Sequence, residues 1–159
     1  RRSKGLLDFV NNYRKLTRIP QPQCEAIPVQ EYFNDLMEFY GQRLRCNATP
    51  STLEVNADPR LLMQVLVNLV NNASEAGPGP IDINVARNAN GHIEISVRDY
   101  GQGILPEVIN SIFIPFFTTK PQGSGIGLSL CKQIIQHHGG RISVKSQPQH
   151  GSVFTITLP

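Results

Sequence analysis

Apolar residues recur at two periods along this chain, and the switches between them divide it into elements. Leu6, Phe9, Val10, Tyr13 and Leu16 fall three to four residues apart, one stripe of a helix over residues 1–18. A helix so short is marginal alone in water, so the stripe needs a partner surface, either outside the following domain or folded back onto it. Ile19-Pro20-Gln21-Pro22-Gln23 stops the helix, and residues 19–27 read as a linker. Helical spacing returns from Val29 to Leu44, with Tyr32, Phe33, Leu36, Phe39 and Tyr40 on one side. Short strands are expected around 43–48 and 52–56. Asp58-Pro59 has the form of a helix start, Asp as N-cap and Pro at the first helical position. That helix runs to about Ala76, where Gly77-Pro78-Gly79-Pro80 ends it.

Alternation then takes over. Ile81, Ile83 and Val85, then Ile93, Ile95 and Val97, alternate with polar neighbours, and Asn88-Ala89-Asn90-Gly91 joins the two runs as a hairpin signal. A glycine- and proline-rich stretch covers 101–127. Helical spacing resumes at Ile126, Leu130 and Ile134 until Gly139-Gly140, and two strands close the chain, Ile142–Val144 and Val153–Leu158. The expected fold is α+β, a two-layer sandwich in which a sheet of hairpins over residues 28–159 carries three helices on one face, preceded by the extra N-terminal helix. No segment repeats.

Composition narrows the function classes. Of 159 residues, 40% are apolar and 17% charged, the balance of a globular protein. No apolar run approaches the roughly 18 residues of a membrane span, and no signal-peptide pattern opens the sequence. The net charge of +3 is local: residues 1–18 hold six basic residues against Asp8, whereas from residue 19 onward nine basic residues face eleven acidic ones, a net of −2. The globular part is no basic platform, which removes the main electrostatic support for a nucleic-acid partner. Cys24, Cys46 and Cys131 are odd in number and far apart, not in metal-ligand spacing, and read as inert thiols of a reducing compartment.

Three clusters carry candidate chemistry. The helix from Asp58 sets Asn68, Asn71 and Asn72 among leucines and valines, although asparagine is a middling-to-poor helix former. Asn68 and Asn72 are four apart and project from one face, where two neutral carbonyl oxygens suit a hydrated magnesium and its phosphates; a solvent-facing edge is the plainer alternative. Asp99-Tyr100-Gly101-Gln102-Gly103 ends a strand. A carboxylate there accepts hydrogen bonds from an exocyclic amino group such as adenine's, and glycines let a planar base approach the chain; Asp-x-Gly is equally common in turns. Finally, Gly123, Gly125 and Gly127 follow Phe116-Phe117-Thr118-Thr119-Lys120 and lead into a helix, whose N-terminal N–H groups face an anion. The spacing fits neither a Walker loop nor the dinucleotide fingerprint. Lys120 is the sole lysine between residues 16 and 131, a candidate phosphate contact or a solvated loop residue.

An asparagine helix, a DxGxG turn 27 residues after Asn72, then a Phe-rich segment and GxGxGL resemble the ordered motif boxes of the sensor histidine kinases, over roughly residues 55–159. The resemblance implies a mixed α/β sandwich that binds ATP with Mg2+. It implies Asn72 as the magnesium ligand, Asn68 toward phosphates and metal, and Asp99 on the adenine amino group beside Gly101 and Gly103. Thr118, Thr119, Lys120, Gly123, Ser124, Gly125, Gly127 and Leu128 would form the phosphate-covering lid, with Lys120 and Asn68 aiding transfer. The N-terminal run resembles the second helix of the family's dimerisation bundle, implying a homodimer in the full-length protein. The short Phe-Phe-Thr-Thr-Lys lid is similar to that of nitrogen-regulatory-type sensors.

One departure stands out. The family's phosphoacceptor lies in a His-Glu/Asp pattern, and His92, His137, His138 and His150 do not fit it. The expectation is therefore a cytoplasmic fragment that presents ATP to a histidine carried elsewhere, with a response regulator downstream and any sensor or membrane anchor outside these residues. Related hydrolases place a water-activating glutamate one turn before the metal asparagine; here that position is Asn68, which cannot act as a base. A nucleotide-binding pseudoenzyme is the third reading.

Overall fold

A computed structural model describes residues 6, 7, 10, 11, 14, 18–118 and 125–159. The periodicities of the sequence become the following elements. Strand β1 (Glu25–Pro28) leads into helix α1 (Val29–Tyr40), a single 3-10 turn (Gly41–Arg43) and strand β2 (Leu44–Thr49). Strand β3 (Glu54–Ala57) precedes helix α2 (Pro59–Ala76), and the hairpin of β4 (Ile81–Arg87) and β5 (Ile93–Asp99) follows. Helix α3 (Gly127–His137) comes before the closing hairpin, β6 (Arg141–Ser146) and β7 (Ser152–Leu158).

Five strands form one sheet in the order β2-β4-β5-β7-β6, and β1 pairs with β3 in a separate two-stranded sheet. Only β2 and β4 run parallel, in register from Leu44 opposite Ile81 to Thr49 opposite Ala86; the other pairs are antiparallel. A parallel pair needs a crossover, and the segment through β3 and α2 supplies it. The sheet is therefore mixed and mostly antiparallel, within the two-layer sandwich that the sequence predicts.

One face of the sheet is apolar and covered. Ile83, Val85, Ile95, Val97, Phe154, Ile156 and Leu158 are buried in the same cluster as Leu62, Leu66 and Leu69 of α2, Ile134 and Ile135 of α3, and Phe33 and Leu36 of α1. The opposite face is polar: Arg45, Asp82 and Arg98 stand side by side across three strands. The alternation of the strands thus assigns the helices to one side.

Helix α2 starts where the sequence places it. The Asp58 carboxylate accepts from the Arg60 and Leu61 amides at 3.0 and 3.2 Å and also from the Gln23 amide at 2.9 Å. These bonds hold the Asp58 carboxyl below its usual range, the Gln23 bond first among them. His138, at the end of α3, donates from Nδ1 to the Ile134 carbonyl, so its Nε2 accepts the Asp58 amide at 3.1 Å. His138 thus has a structural role, linking the end of α3 to the start of α2.

Two expectations change. Residues 25–27, read as linker, belong to β1: Ile27 pairs with Val55 and is buried. Only four residues long and ending on a proline, this strand carries no alternation that a sequence reading can detect. The first helix of the domain ends at Tyr40 instead of Leu44, because Gly41 takes a left-handed φ of 74°. In the N-terminal stretch the described residues 6, 7, 10, 11 and 14 are helical, with Leu6 and Leu7 exposed and Val10 half-buried. Phe9, Tyr13 and Leu16 lie outside the described residues.

Candidate nucleotide site

One face of α2 organises the site. Asn68, Asn72 and Ala76 are spaced four apart, each about 6 Å along the axis from the next. At the upper end of this face stands Gly127: a Cβ there would lie 3.6 Å from Asn68 Oδ1. At the lower end stands Gly101, whose missing side chain is filled by the Ala76 carbonyl; any Cβ there would collide with it. The Gln102 amide donates to that same carbonyl at 3.2 Å. Asn72 lies between these two docking points, half-buried. Motifs separated by 27 and more residues in sequence therefore meet along a single helix face.

The third asparagine belongs elsewhere. Asn71 accepts from the Tyr40 hydroxyl at 2.7 Å and ties α2 to α1. Asn68 in turn lies against the Cys131 thiol of α3, whose Sγ also approaches the Val65 carbonyl at 3.8 Å. Burial pushes the Cys131 thiol up to about 12 and Cys46 to about 12, so both stay protonated and unreactive.

Asp99 closes β5 and is only 6% exposed. Its Oδ1 accepts the Gly101 amide at 3.0 Å. Burial raises its pKa above the ordinary carboxylate value, against the lowering effect of the Gly101 and Ser152 amides. A partly desolvated carboxylate with spare lone pairs suits a ligand that brings N–H donors. Gly103 is roofed by the Gln147 carbonyl, and the Gln149 amide donates to Gln102 at 2.7 Å, so the β6–β7 turn braces the loop. Ser146 Oγ accepts the Ile104 amide at 2.8 Å and completes the brace.

The two ends of the segment expected to form a lid meet. The Phe116 amide donates to the Gly125 carbonyl at 2.7 Å, closing the chain between them. Gly125 has φ of +71°, and a Cβ would strike the backbone of Phe116 and Phe117, so only glycine fits. Thr118 is exposed beside it. Thr119, Lys120, Gly123 and Ser124 lie outside the described residues. Beyond Gly125 the N-terminus of α3, with Gly127 and Leu128 in its first turn, has no side-chain cap, in contrast to the Asp58 cap of α2. A helix N-terminus of this kind suits an anion.

Sequence reading missed Arg43. Its Nε donates to the Gly79 carbonyl at 2.8 Å and its Nη2 to the carbonyls of Ser74, at 3.2 Å, and Gly77. A cation thereby satisfies the C-terminal end of α2 beside Gly101. A lone arginine more than 30 residues upstream gives no local sign of that role.

The donor set fits a nucleotide held through a hydrated divalent ion: neutral amides on α2, a carboxylate at the far end and glycine-lined backbone at both. Among the described residues no three His, Cys, Asp or Glu side chains gather to hold a metal unaided. Magnesium bound largely through phosphates and water needs no such gathering.

Comparison with known proteins agrees with this geometry. The family model described as histidine kinase-, DNA gyrase B-, and HSP90-like ATPase matches residues 57–159. Sensor histidine kinase ZraS of Escherichia coli (strain K12) is 43% identical over 159 residues, covering 94% of this chain and 34% of that protein. Sporulation kinase A of Bacillus subtilis (strain 168) is 37% identical, covering 91% of this chain and 26% of its own length. The chain thus spans about a third or less of these curated relatives. Among solved structures, the nucleotide-free catalytic domain of histidine kinase ThkA superposes with a TM-score of 0.75 at 33% identity, covering 86% of this chain and 95% of that one. Full-length ShkA, solved in complex with AMPPNP, reaches a TM-score of 0.84 over 98% of this chain and 36% of its own; at 23% identity it bears on the fold alone. The chain belongs to the histidine kinase-, DNA gyrase B-, and HSP90-like ATPase family and is an ATP-binding catalytic domain of the sensor histidine kinase kind.

Proposed function

We propose that this domain presents ATP to a histidine on a helical bundle, from which the phosphoryl group passes to a response regulator. The observation that carries the reading is the single face of α2, on which Asn68 and Asn72 stand between Gly127 and Gly101. In this arrangement Asp99 takes the adenine amino group and the N-terminus of α3 takes the phosphates. Asn72 is a ligand of Mg2+, with Asn68 a turn nearer the lid. The bound ion neutralises phosphate charge. Thr118, Thr119, Lys120, Gly123 and Ser124 complete the cover over the phosphates. Phosphoryl transfer asks a protein for positioning and charge neutralisation above all, and these residues supply both.

Residues 1–18 form part of the second helix of the dimerisation bundle in this reading, 19–24 with β1 connect it, and the catalytic domain continues to 159. Exposed Leu6 and Leu7 suit a helix that pairs with a partner copy. Hydrolysis is the weaker alternative: the position a turn before Asn72 is the amide Asn68, and Glu75 follows Asn72 and is exposed.

The test uses the chain with radiolabelled ATP and magnesium. It should bind ATP but neither label itself nor release phosphate appreciably. Adding a separately made bundle that carries the cognate histidine should label that bundle, with an acid-labile, alkali-stable product. Transfer will be slow because the covalent link that concentrates the partners is absent. Rapid phosphate release by the chain alone would favour the hydrolase; tight ATP binding without any transfer would favour a pseudoenzyme.

A further inference from the structure

Between the adenine carboxylate Asp99 and the docking glycine Gly101 stands Tyr100, whose side chain points to the opposite face of the sheet. It is 45% exposed, yet its hydroxyl donates to Asp82 Oδ2 at 2.6 Å. Asp82 is itself gripped by Arg45, which donates from Nε at 2.5 Å and from Nη2 at 2.9 Å. Arg45 and Asp82 are direct partners in the parallel β2–β4 pair, so the sheet presets their geometry. The Arg98 guanidinium lies over the Tyr100 ring, 4.9 Å from its centroid. The turn after β5 is therefore held from two sides: Ala76 against Gly101 on the helix side, and an arginine–aspartate–tyrosine chain on the open side.

We propose that Tyr100 is a positioning residue of the nucleotide site, anchored through Asp82 to Arg45, and that this chain sets where Asp99 meets the base. The proposal rests on the adenine reading of Asp99. Its physical basis is leverage. Asp99 and Tyr100 are consecutive, so a rotation of the backbone at Tyr100 swings the Asp99 carboxylate and the Gly101 amide bonded to it. A carboxylate that accepts a directional hydrogen bond tolerates little misplacement. The hydroxyl bond itself is charge-assisted, and Arg45 orients its acceptor in a two-point grip.

The experiment is ATP titration calorimetry on the chain with Tyr100→Phe, Asp82→Ala, Asp99→Asn and the double variant Tyr100→Phe/Asp99→Asn, alongside thermal melts without nucleotide. Tyr100→Phe keeps the ring and its arginine partner and loses one hydroxyl on the surface, so the melt should stay that of the wild type. ATP affinity should fall about three- to tenfold, the effect of one misplaced hydrogen bond. Asp82→Ala should reproduce that loss. In the double variant Tyr100→Phe should add nothing to Asp99→Asn, because both act through one contact. Unchanged affinity in Tyr100→Phe overturns the inference, as does a loss that persists in full without Asp99, or wild-type affinity in Asp82→Ala. If Asp99→Asn alone leaves ATP binding intact, the adenine reading fails instead, and the inference with it.

Discussion

At the scale of single residues the site turns on two side chains of opposite character. Asp99 is acidic, buried and raised in pKa by that burial. Such a group favours the folded state below the ordinary carboxylate pKa of about 3.9 and loses that contribution as pH rises through the raised folded value. In the proposed function ligand binding runs the other way, since the amino group of adenine needs the ionised form. ATP affinity should therefore be flat above the raised pKa and decline as pH falls through it, beginning above the range of an ordinary aspartate. Calorimetry across pH should show this acid limb in wild type and lose the Asp99 part of it in Asp99→Asn. At neutral pH that variant should bind ATP about 1–3 kcal/mol more weakly, the worth of a hydrogen bond to a charged group. Asn72 is neutral and acts, in the proposed function, only through the metal. Asn72→Ala should abolish the magnesium-dependent part of ATP affinity; an identical response to EDTA in wild type and variant would remove it from the metal's coordination. Both residues were legible as candidates because each breaks its local pattern: an amide on an apolar helix, a carboxylate at a strand end. Arg43, Tyr100 and Ser146 were not, because their partners lie 18 to 42 residues away and no local rule links them.

Elements were legible wherever the apolar period was long. Helix α2 runs from Pro59 to Ala76 as the Asp-Pro start and Gly-Pro stop indicate, since capping and breaking are local chemistry. Strand β1 was not legible, as its existence depends on pairing with Glu54–Ala57 across the crossover. The Asp58 cap also reaches beyond its own helix, to the Gln23 amide and to His138. Asp58→Ala should cost about 1 kcal/mol, the usual loss for an N-cap, and also release residues near Gln23. Its carboxyl is held below the ordinary value, so the stabilisation is present above the unfolded pKa and disappears as pH falls through the folded one. Melting curves at neutral pH and near pH 2 should show a gap between wild type and variant that narrows in acid. An equal gap at both would mean the carboxylate is not what stabilises the helix start.

Across the whole molecule, the class of fold followed from the order of periods, but the sheet order did not. Two hairpins and a strand at residues 44–49 are compatible with either edge; the parallel pairing of β2 with β4 is decided by where α2 packs, a property of the assembled core. The same assembly brings the Phe116 amide onto the Gly125 carbonyl, with both residues in the left-handed region. A bond between the two ends of a loop fixes its span whatever the length of chain between them, as a bracket holds both ends of a handle. Evolution or engineering can lengthen it at the small entropic cost of a longer loop, about 0.6 kcal/mol for each doubling. A variant whose residues 118–124 are replaced by a glycine–serine segment twice as long should accordingly melt within a few degrees of the wild type while losing ATP affinity. A loss of several kcal/mol in stability would show the segment to be woven into the core. The sandwich can thus stay constant while the length of this segment changes, so that in the proposed function the speed and selectivity of phosphate enclosure can diverge without refolding the protein.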